Sequence, residues 1–319
     1  MRLTPDSPNA ERLATAIPKV APSSRFASRY CDVDFDSDAA TVWIRLTESA
    51  PNKFTSELIA DLDHVHDTIE LELDQQRTSN SQPRLRHQVF ASRIPEVFSL
   101  GGDLALFRDC ITRGDVQTLT RYAQAAVSLM YSGVDAFSGE LTTIALVQGQ
   151  ALGGGFEAAL AAQVLIAERS AKMAFPEVLF NMFPGMGAYQ LMYRRLSHRE
   201  ADPMILSGRT YSALELHALG VVDVLAEDGE GEAAVRRYIR MHDRQHHARS
   251  GFHRALQMAS PLDLHALRRM ADVWVDTAMG LGPRDLETID YLLRAQRRPA
   301  AHSVSTEDEF PGAQALQDA

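Results

Sequence analysis

Two glutamates and a run of glycines hold the chemistry this chain can do. In residues 145–187, ALVQGQALGGGFEAALAAQVLIAERSAKMAFPEVLFNMFPGMG, Glu157 follows the triple glycine Gly153, Gly154 and Gly155, and Glu177 stands in Phe-Pro-Glu ahead of a second glycine turn. Glycines between an apolar strand and a helix leave backbone N–H groups free and aim them, backed by the helix dipole, at one spot. A carboxylate a step further along moves protons at that spot. These are the parts needed to form and quench an enolate.

The elements that must position them emerge from periodicity. Residues 31–35 and 41–46 alternate as two strands split by the turn-prone Asp36-Ser37-Asp38, and residues 54–73 place Leu58, Leu62, Val65 and Ile69 at helical spacing. Residues 87–99 read as two short extended runs around Pro95, and residues 106–131 as one long helix. The run 141–147 is the strongest strand and leads straight into the glycine junction, with a helix from 156 to 163 behind it. Further short strands are predicted at 164–168, 172–175 and 221–225, with helices at 186–195, 202–207 and 212–219, the last ending at Gly220. From about residue 232 the pattern is helical to 297. Short strands alternating with helices, then helices alone, predict an α/β core (26–230) with a C-terminal helical region (231–297). Residues 1–25 and 298–319 read as a disordered leader and tail. No fixed sequence period is visible.

Composition excludes several classes. The net charge of −10 argues against a general nucleic-acid binder. Cys31 and Cys110 cannot form a disulfide framework and read as buried thiols. No apolar run has the ~20 residues that cross a membrane, and the N-terminus lacks the apolar stretch of a secretory signal. A cytoplasmic protein is expected. Lys19, Lys53 and Lys172 are the only lysines, so acidic partners must be held largely by arginine.

Several motifs occur in an order that carries a family resemblance. SLGGDL (99–104) resembles the oxyanion loop of the crotonase (enoyl-CoA hydratase/isomerase) superfamily, and VQGQALGGGFE (147–157) its central glycine-rich signature. FPE (175–177), PGMGA (184–188), LSGRTYSA (206–213) and LGVV (219–222) match the later elements of that family. The resemblance implies a ClpP/crotonase-like spiral of ββα units, assembled as trimers or hexamers. It also implies a thioester whose carbonyl oxygen is held by two backbone N–H groups. By position these are Gly102 and Gly154, or Gly101 if the loop register slips by one. No cofactor and no metal are implied.

The wording around the glutamates, with DVWVD (272–276) and YLLRAQ (291–296), is similar to the diffusible-signal-factor synthase branch. That branch dehydrates 3-hydroxyacyl groups on acyl carrier protein (ACP) and hydrolyses the thioester, releasing cis-2-unsaturated fatty acids used in bacterial quorum sensing. The resemblance then implies ACP as a partner, and a sensor kinase's receiver domain as a second. It also implies an acyl pocket with Leu152 and Gly153 beside the oxyanion notch and Trp274 and Leu292 at its far end. In ordinary hydratases the loop carries a lysine for the CoA nucleotide; here GDLA (102–105) has none, which fits a protein-bound pantetheine arm.

With a thioester in place, one glutamate takes the α-proton while the other protonates the departing 3-hydroxyl. Sequence does not order Glu157 and Glu177 in these roles. The main rival is an enoyl-CoA hydratase of fatty-acid degradation; the rival from another class is a non-catalytic regulatory binding protein on the same fold. Read singly, Glu157 is a helix-terminal carboxylate and Glu177 a solvated turn residue. The glycine run is not G-x-G-x-x-G, so a dinucleotide loop is disfavoured. His242 and His246 stand at metal-ligand spacing without a third ligand, which favours a solvated helix face. Arg194, Arg195 and Arg199 read as solvated surface or, more sharply, as a landing patch for acidic ACP.

Overall fold

A computed structural model describes residues 26–79 and 85–296. The predicted leader (1–25) and tail (298–319) lie outside the described residues.

The chain opens with β1 (Cys31–Asp36), β2 (Thr41–Leu46), α1 (Ser56–Ser79), β3 (His87–Ser92) and β4 (Val97–Ser99). It continues through α2 (Leu104–Arg113), α3 (Val116–Gly139), β5 (Thr142–Val147), β6 (Gln150–Leu152) and α4 (Gly154–Ala161). Then come β7 (Val164–Glu168), β8 (Lys172–Ala174), a 3₁₀ turn (Pro176–Phe180), α5 (Ala188–Tyr193), α6 (His198–Leu206), β9 (Thr210–Ser212), α7 (Ala213–Ala218) and β10 (Val224–Ala226). Four helices close the described chain: α8 (Gly231–His242), α9 (His246–Ala259), α10 (Leu264–Met279) and α11 (Pro283–Gln296).

The strands form two mixed sheets, a larger one in the order β1-β2-β3-β5-β7-β10 and a smaller one in the order β4-β6-β8-β9. Each of β3, β5 and β7 lies in the larger sheet, and the next strand in sequence crosses to the smaller one. This is the α/β crotonase spiral of ββ steps, with helices filling the C-terminal part. The repeat is spatial, each step having its own sequence, so no sequence period reports it.

Both faces of the larger sheet are covered, which explains why β5 and β7 are buried at every position. Alternate residues divide between two cores: Ile144, Leu146, Val164 and Ile166 pack with Ala234, Val235 and Ile239 of α8, while Ala145, Val147, Leu165 and Ala167 face the main core.

Two sequence expectations are corrected here and one strand is added. The single helix over 106–131 is two helices, because Gly114 takes a left-handed conformation (φ 68°) that ends α2 and Asp115 caps α3 through the Thr118 N–H. The strand feeding the glycine junction is β6 of the smaller sheet; β5 ends at Val147, and Gly149 turns the chain between sheets. The short strand β9 went unpredicted, since three residues beside a helix cap carry too little periodicity.

Candidate active site

Three neighbouring parallel strands build the site. In the smaller sheet β4 pairs with β6 and β6 with β8, with Gln150 opposite Lys172 and Leu152 opposite Ala174. All three therefore end at one edge. β4 delivers the loop Leu100-Gly101-Gly102, β6 delivers Gly153 and Gly154, and β8 delivers the turn bearing Glu177. The Gly153 N–H bonds the Ala174 carbonyl at 2.8 Å and ties the last two strand ends together.

The two glycine amides lie close together. An ideal Cβ on Gly101 would stand 3.3 Å from the Gly154 nitrogen, and one on Gly154 would stand 3.7 Å from the Gly102 nitrogen. Among the described residues neither the Gly102 nor the Gly154 N–H is given an acceptor by the chain. The Gly101 N–H instead bonds Ser99 Oγ (3.3 Å), so the slipped register does not present a free donor. The Gly153 carbonyl accepts from Phe156 (2.9 Å) and Glu157 (3.0 Å) in the first turn of α4. Because that carbonyl and the Gly154 N–H belong to one trans peptide, the N–H points the other way, out of the helix.

Glu157, in the first turn of α4, is 1 % exposed. Its Oε1 accepts from the N–H groups of Met186 (2.8 Å) and Ala188 (2.9 Å), across the turn that opens α5. Burial pushes this carboxyl upward in pKa, and the amides of Met186, Ala188 and Gly187 oppose the shift. Glu177 arrives from the 3₁₀ turn with its carboxyl turned inward. Its Oε2 is buried without a partner among the described residues, and Oε1 lies against Gly153. Burial, then the charge of Glu157, holds Glu177 well above the ordinary carboxylate range, with only its own backbone N–H opposing. The charge of Glu157 reaches Glu177, and both carboxyls favour the neutral form more than an ordinary carboxylate does.

The pocket residues expected at the far end occupy adjoining elements. Trp274 is buried on α10, edge-on to Phe107 with ring centroids 4.9 Å apart, and its indole covers Gly185, the neighbour of Met186. Leu152 is half-buried at the end of β6. Leu292 is half-buried on α11, which packs on α2 and on the turn carrying Glu177.

Sequence reasoning missed three contributors. Met186 gives its N–H to Glu157 while its Sδ stands 2.9 Å from a Cβ built on Gly154, so one residue touches both halves of the site. Tyr122, on α3, accepts from the Asp103 N–H next to Gly102. Lys53 pairs with Asp103 at 2.7 Å and sets an ammonium beside that loop, where the linear motif shows no lysine. The PGMG turn was a visible signal for Met186; nothing local marks Tyr122 or Lys53.

The other clusters have partners within the chain. Arg194 donates to Gln257 and to the Ser260 carbonyl; Arg195 binds Asp223 and the carbonyls of Val221 and Ala162. Two of the three arginines of the supposed ACP patch are thus engaged inside the fold. His242 Nδ1 sits against the Tyr238 carbonyl, and His246 packs edge-on to His87. Among the described residues no helix is long and apolar enough to cross a membrane.

Comparison with known proteins agrees with this architecture. Residues 37–276 match the enoyl-CoA hydratase/isomerase family. Human mitochondrial methylglutaconyl-CoA hydratase is 32 % identical over 158 residues, 49 % of this chain and 44 % of that protein, so the chain spans about half the length of that relative. Mouse mitochondrial enoyl-CoA hydratase domain-containing protein 2 is 30 % identical over 270 residues, covering 84 % of this chain and 76 % of that protein. The crystal structure of enoyl-CoA hydratase from Bacillus halodurans superposes with a TM-score of 0.64 at 19 % identity, over 82 % of this chain and 98 % of that one. With the strand ends, the paired amides and the family match in hand, the chain belongs to the enoyl-CoA hydratase/isomerase family.

Proposed function

We propose that this protein acts on 3-hydroxyacyl and 2-enoyl thioesters, with Glu157 and Glu177 as the proton-transfer pair and the N–H groups of Gly102 and Gly154 as the oxyanion notch. The observation that carries this reading is a buried Glu157 and an inward-turned Glu177, whose Oε2 is buried, held beside two free, neighbouring amides. Charge developing on the thioester oxygen meets both donors in a dry site; one such donor is worth about 3–4 kcal/mol in other enzymes. With one proton on the pair, the ionised carboxyl removes a proton and the neutral one delivers one. In dehydration the α-C–H bond and the C3–O bond break and water leaves; hydration runs the same steps backwards through the same two groups.

At finer grain we propose the signal-synthase reaction: dehydration of 3-hydroxyacyl-ACP to a cis-2-enoyl thioester, then water attack on the carbonyl with loss of the carrier thiol. The motif wording around both glutamates, Trp274 and Leu292 supports it. Hydration of enoyl-CoA is the second reading, favoured by the hydratase names of the relatives and by Lys53, which supplies at the loop the cation its sequence lacks. Incubation with purified 3-hydroxyacyl-ACP and, separately, with crotonyl-CoA, read by mass spectrometry, tests both. The signal-synthase reading requires free cis-2-unsaturated acid from the ACP substrate. Efficient hydration of crotonyl-CoA with no acid released from ACP replaces it with the hydratase.

A further inference from the structure

The donor residue 102 is a glycine, and a glycine backbone does not hold its own direction. Something outside the loop must orient its N–H. Phe54 and Gly102 form an isolated parallel bridge. On one side the Phe54 N–H bonds the Gly101 carbonyl at 2.8 Å. That carbonyl shares a trans peptide plane with the Gly102 N–H, so gripping one aims the other away from Phe54. On the other side the Tyr122 hydroxyl accepts from the Asp103 N–H (3.1 Å) and donates to the Phe54 carbonyl (2.6 Å). This second contact fixes the peptide plane on the C-terminal side of Gly102. Both planes flanking the glycine are then pinned, and its two free dihedrals with them.

We propose that Tyr122 is a positioning residue for the oxyanion notch, its hydroxyl locking the loop so that the Gly102 N–H stays aimed at the substrate carbonyl. The inference rests on the oxyanion reading above. Burial of the phenol makes it a rigid fixture: Tyr122 is 7 % exposed, and the Phe107 ring packs edge-on against it at 5.3 Å. Phe107 in turn closes on Gly102, where an added Cβ would come within 2.5 Å of the ring. No other side-chain hydroxyl among the described residues bonds the loop from Gly102 to Asp103. The sequence gap between Phe54 and Tyr122 is bridged here so that helix α3, remote from the glycine motifs, sets the direction of a reacting amide.

The test is Tyr122→Phe, which keeps the ring and removes the hydroxyl. The probe is 2,4-hexadienoyl-CoA and, separately, the same acyl group on ACP, whose ultraviolet band moves to the red as the thioester carbonyl is polarised. The parent should show the red shift on binding. Tyr122→Phe should bind within about 3-fold of the parent, lose most of the shift, and lose kcat by about 10- to 100-fold with KM little changed, on the scale of a weakened oxyanion donor. Leu119→Ala, a buried change on the same helix, should lower thermal stability and leave the shift intact. Should Tyr122→Phe fail to fold, 3-fluorotyrosine at position 122 keeps both bonds with altered strength and should move the band and kcat together. Parent-like shift and kcat in Tyr122→Phe, or in the fluorinated protein, overturn the inference while the notch stands. A parent with no red shift on either carrier overturns the notch itself, and this inference with it.

Discussion

The Glu177 carboxyl rests directly against Gly153, in the space that a Cβ at residue 153 would fill. Residue 153 also has φ 51° with ψ −123°, a backbone conformation that residues with a side chain rarely adopt. Both facts demand glycine there, and they link the end of β6 to the Glu177 carboxyl. Gly153→Ala should therefore displace Glu177 and cost activity far beyond its effect on stability. We expect kcat to fall at least about 100-fold, the scale of a lost acid–base group. Unfolding free energy should drop by about 1–3 kcal/mol from the strained backbone. Paired kinetics and denaturant titration measure the two effects; parent-like kcat would show that Glu177 does not depend on this contact.

Burial and its neighbour raise the Glu177 pKa above the ordinary 4.5. The folded state then binds a proton more tightly than the unfolded chain, so stability falls as pH rises from about the unfolded value toward the folded one. Glu177→Gln removes that penalty. Its melting temperature should exceed the parent's at pH 8, and the two should converge below the ordinary pKa of 4.5. Melting curves from pH 4 to 9 decide it, and a constant offset across the range would mean that Glu177 ionises freely.

Proton transfer by a pair acting as a unit is not additive. Glu157→Gln and Glu177→Gln should each lower kcat by about 10²–10⁴, and the double variant should be little worse than the poorer single one. If the double variant's loss equals the product of the two single losses, the carboxyls work independently.

Arg195 is 12 % exposed at its side chain, and besides Asp223 (2.9 Å) it serves two backbone carbonyls. Arg195→Ala takes a donor from both carbonyls, while Asp223 keeps the Leu165 N–H on Oδ2, and it should destabilise the protein by about 1–3 kcal/mol. Arg199 is exposed, so Arg199→Ala should change stability by less than about 0.5 kcal/mol. Urea denaturation of both variants checks this. Any rise in KM for acyl-ACP with ionic strength should also survive unchanged in Arg199→Ala, and its disappearance there would restore that one arginine as a docking contact.

The parts of the site legible in the sequence are those carried by local pattern. Gly154 with Glu157 and the Phe-Pro-Glu turn were visible because strand, glycine and carboxylate lie within a few residues. Gly102 was legible only through the motif order. Tyr122 was not legible: its partner Phe54 is 68 positions away, and a helical tyrosine with apolar neighbours looks like any core residue. Lys53 escaped for the same reason, meeting Asp103 from another loop. The fold shows the same division. β5 and β7 announced themselves by continuous apolar runs, whereas β9, three residues long, is held by Lys172, Met173 and Ala174 across the sheet and not by its own sequence. The break at Gly114 was a punctuation mark in plain view, outweighed by helix-forming residues on both sides.

Because β4, β6 and β8 finish side by side, Gly102, the Gly154–Glu157 segment and Glu177 leave three separate strand ends above a common shelf. Replacing the segment after one strand alters that part and, except where Gly153 meets Glu177, leaves the spacing of the others to the register beneath. A frame of this kind lets new reactions arise by exchanging one loop at a time, and it makes an acyl group's fate a matter of which loop is edited.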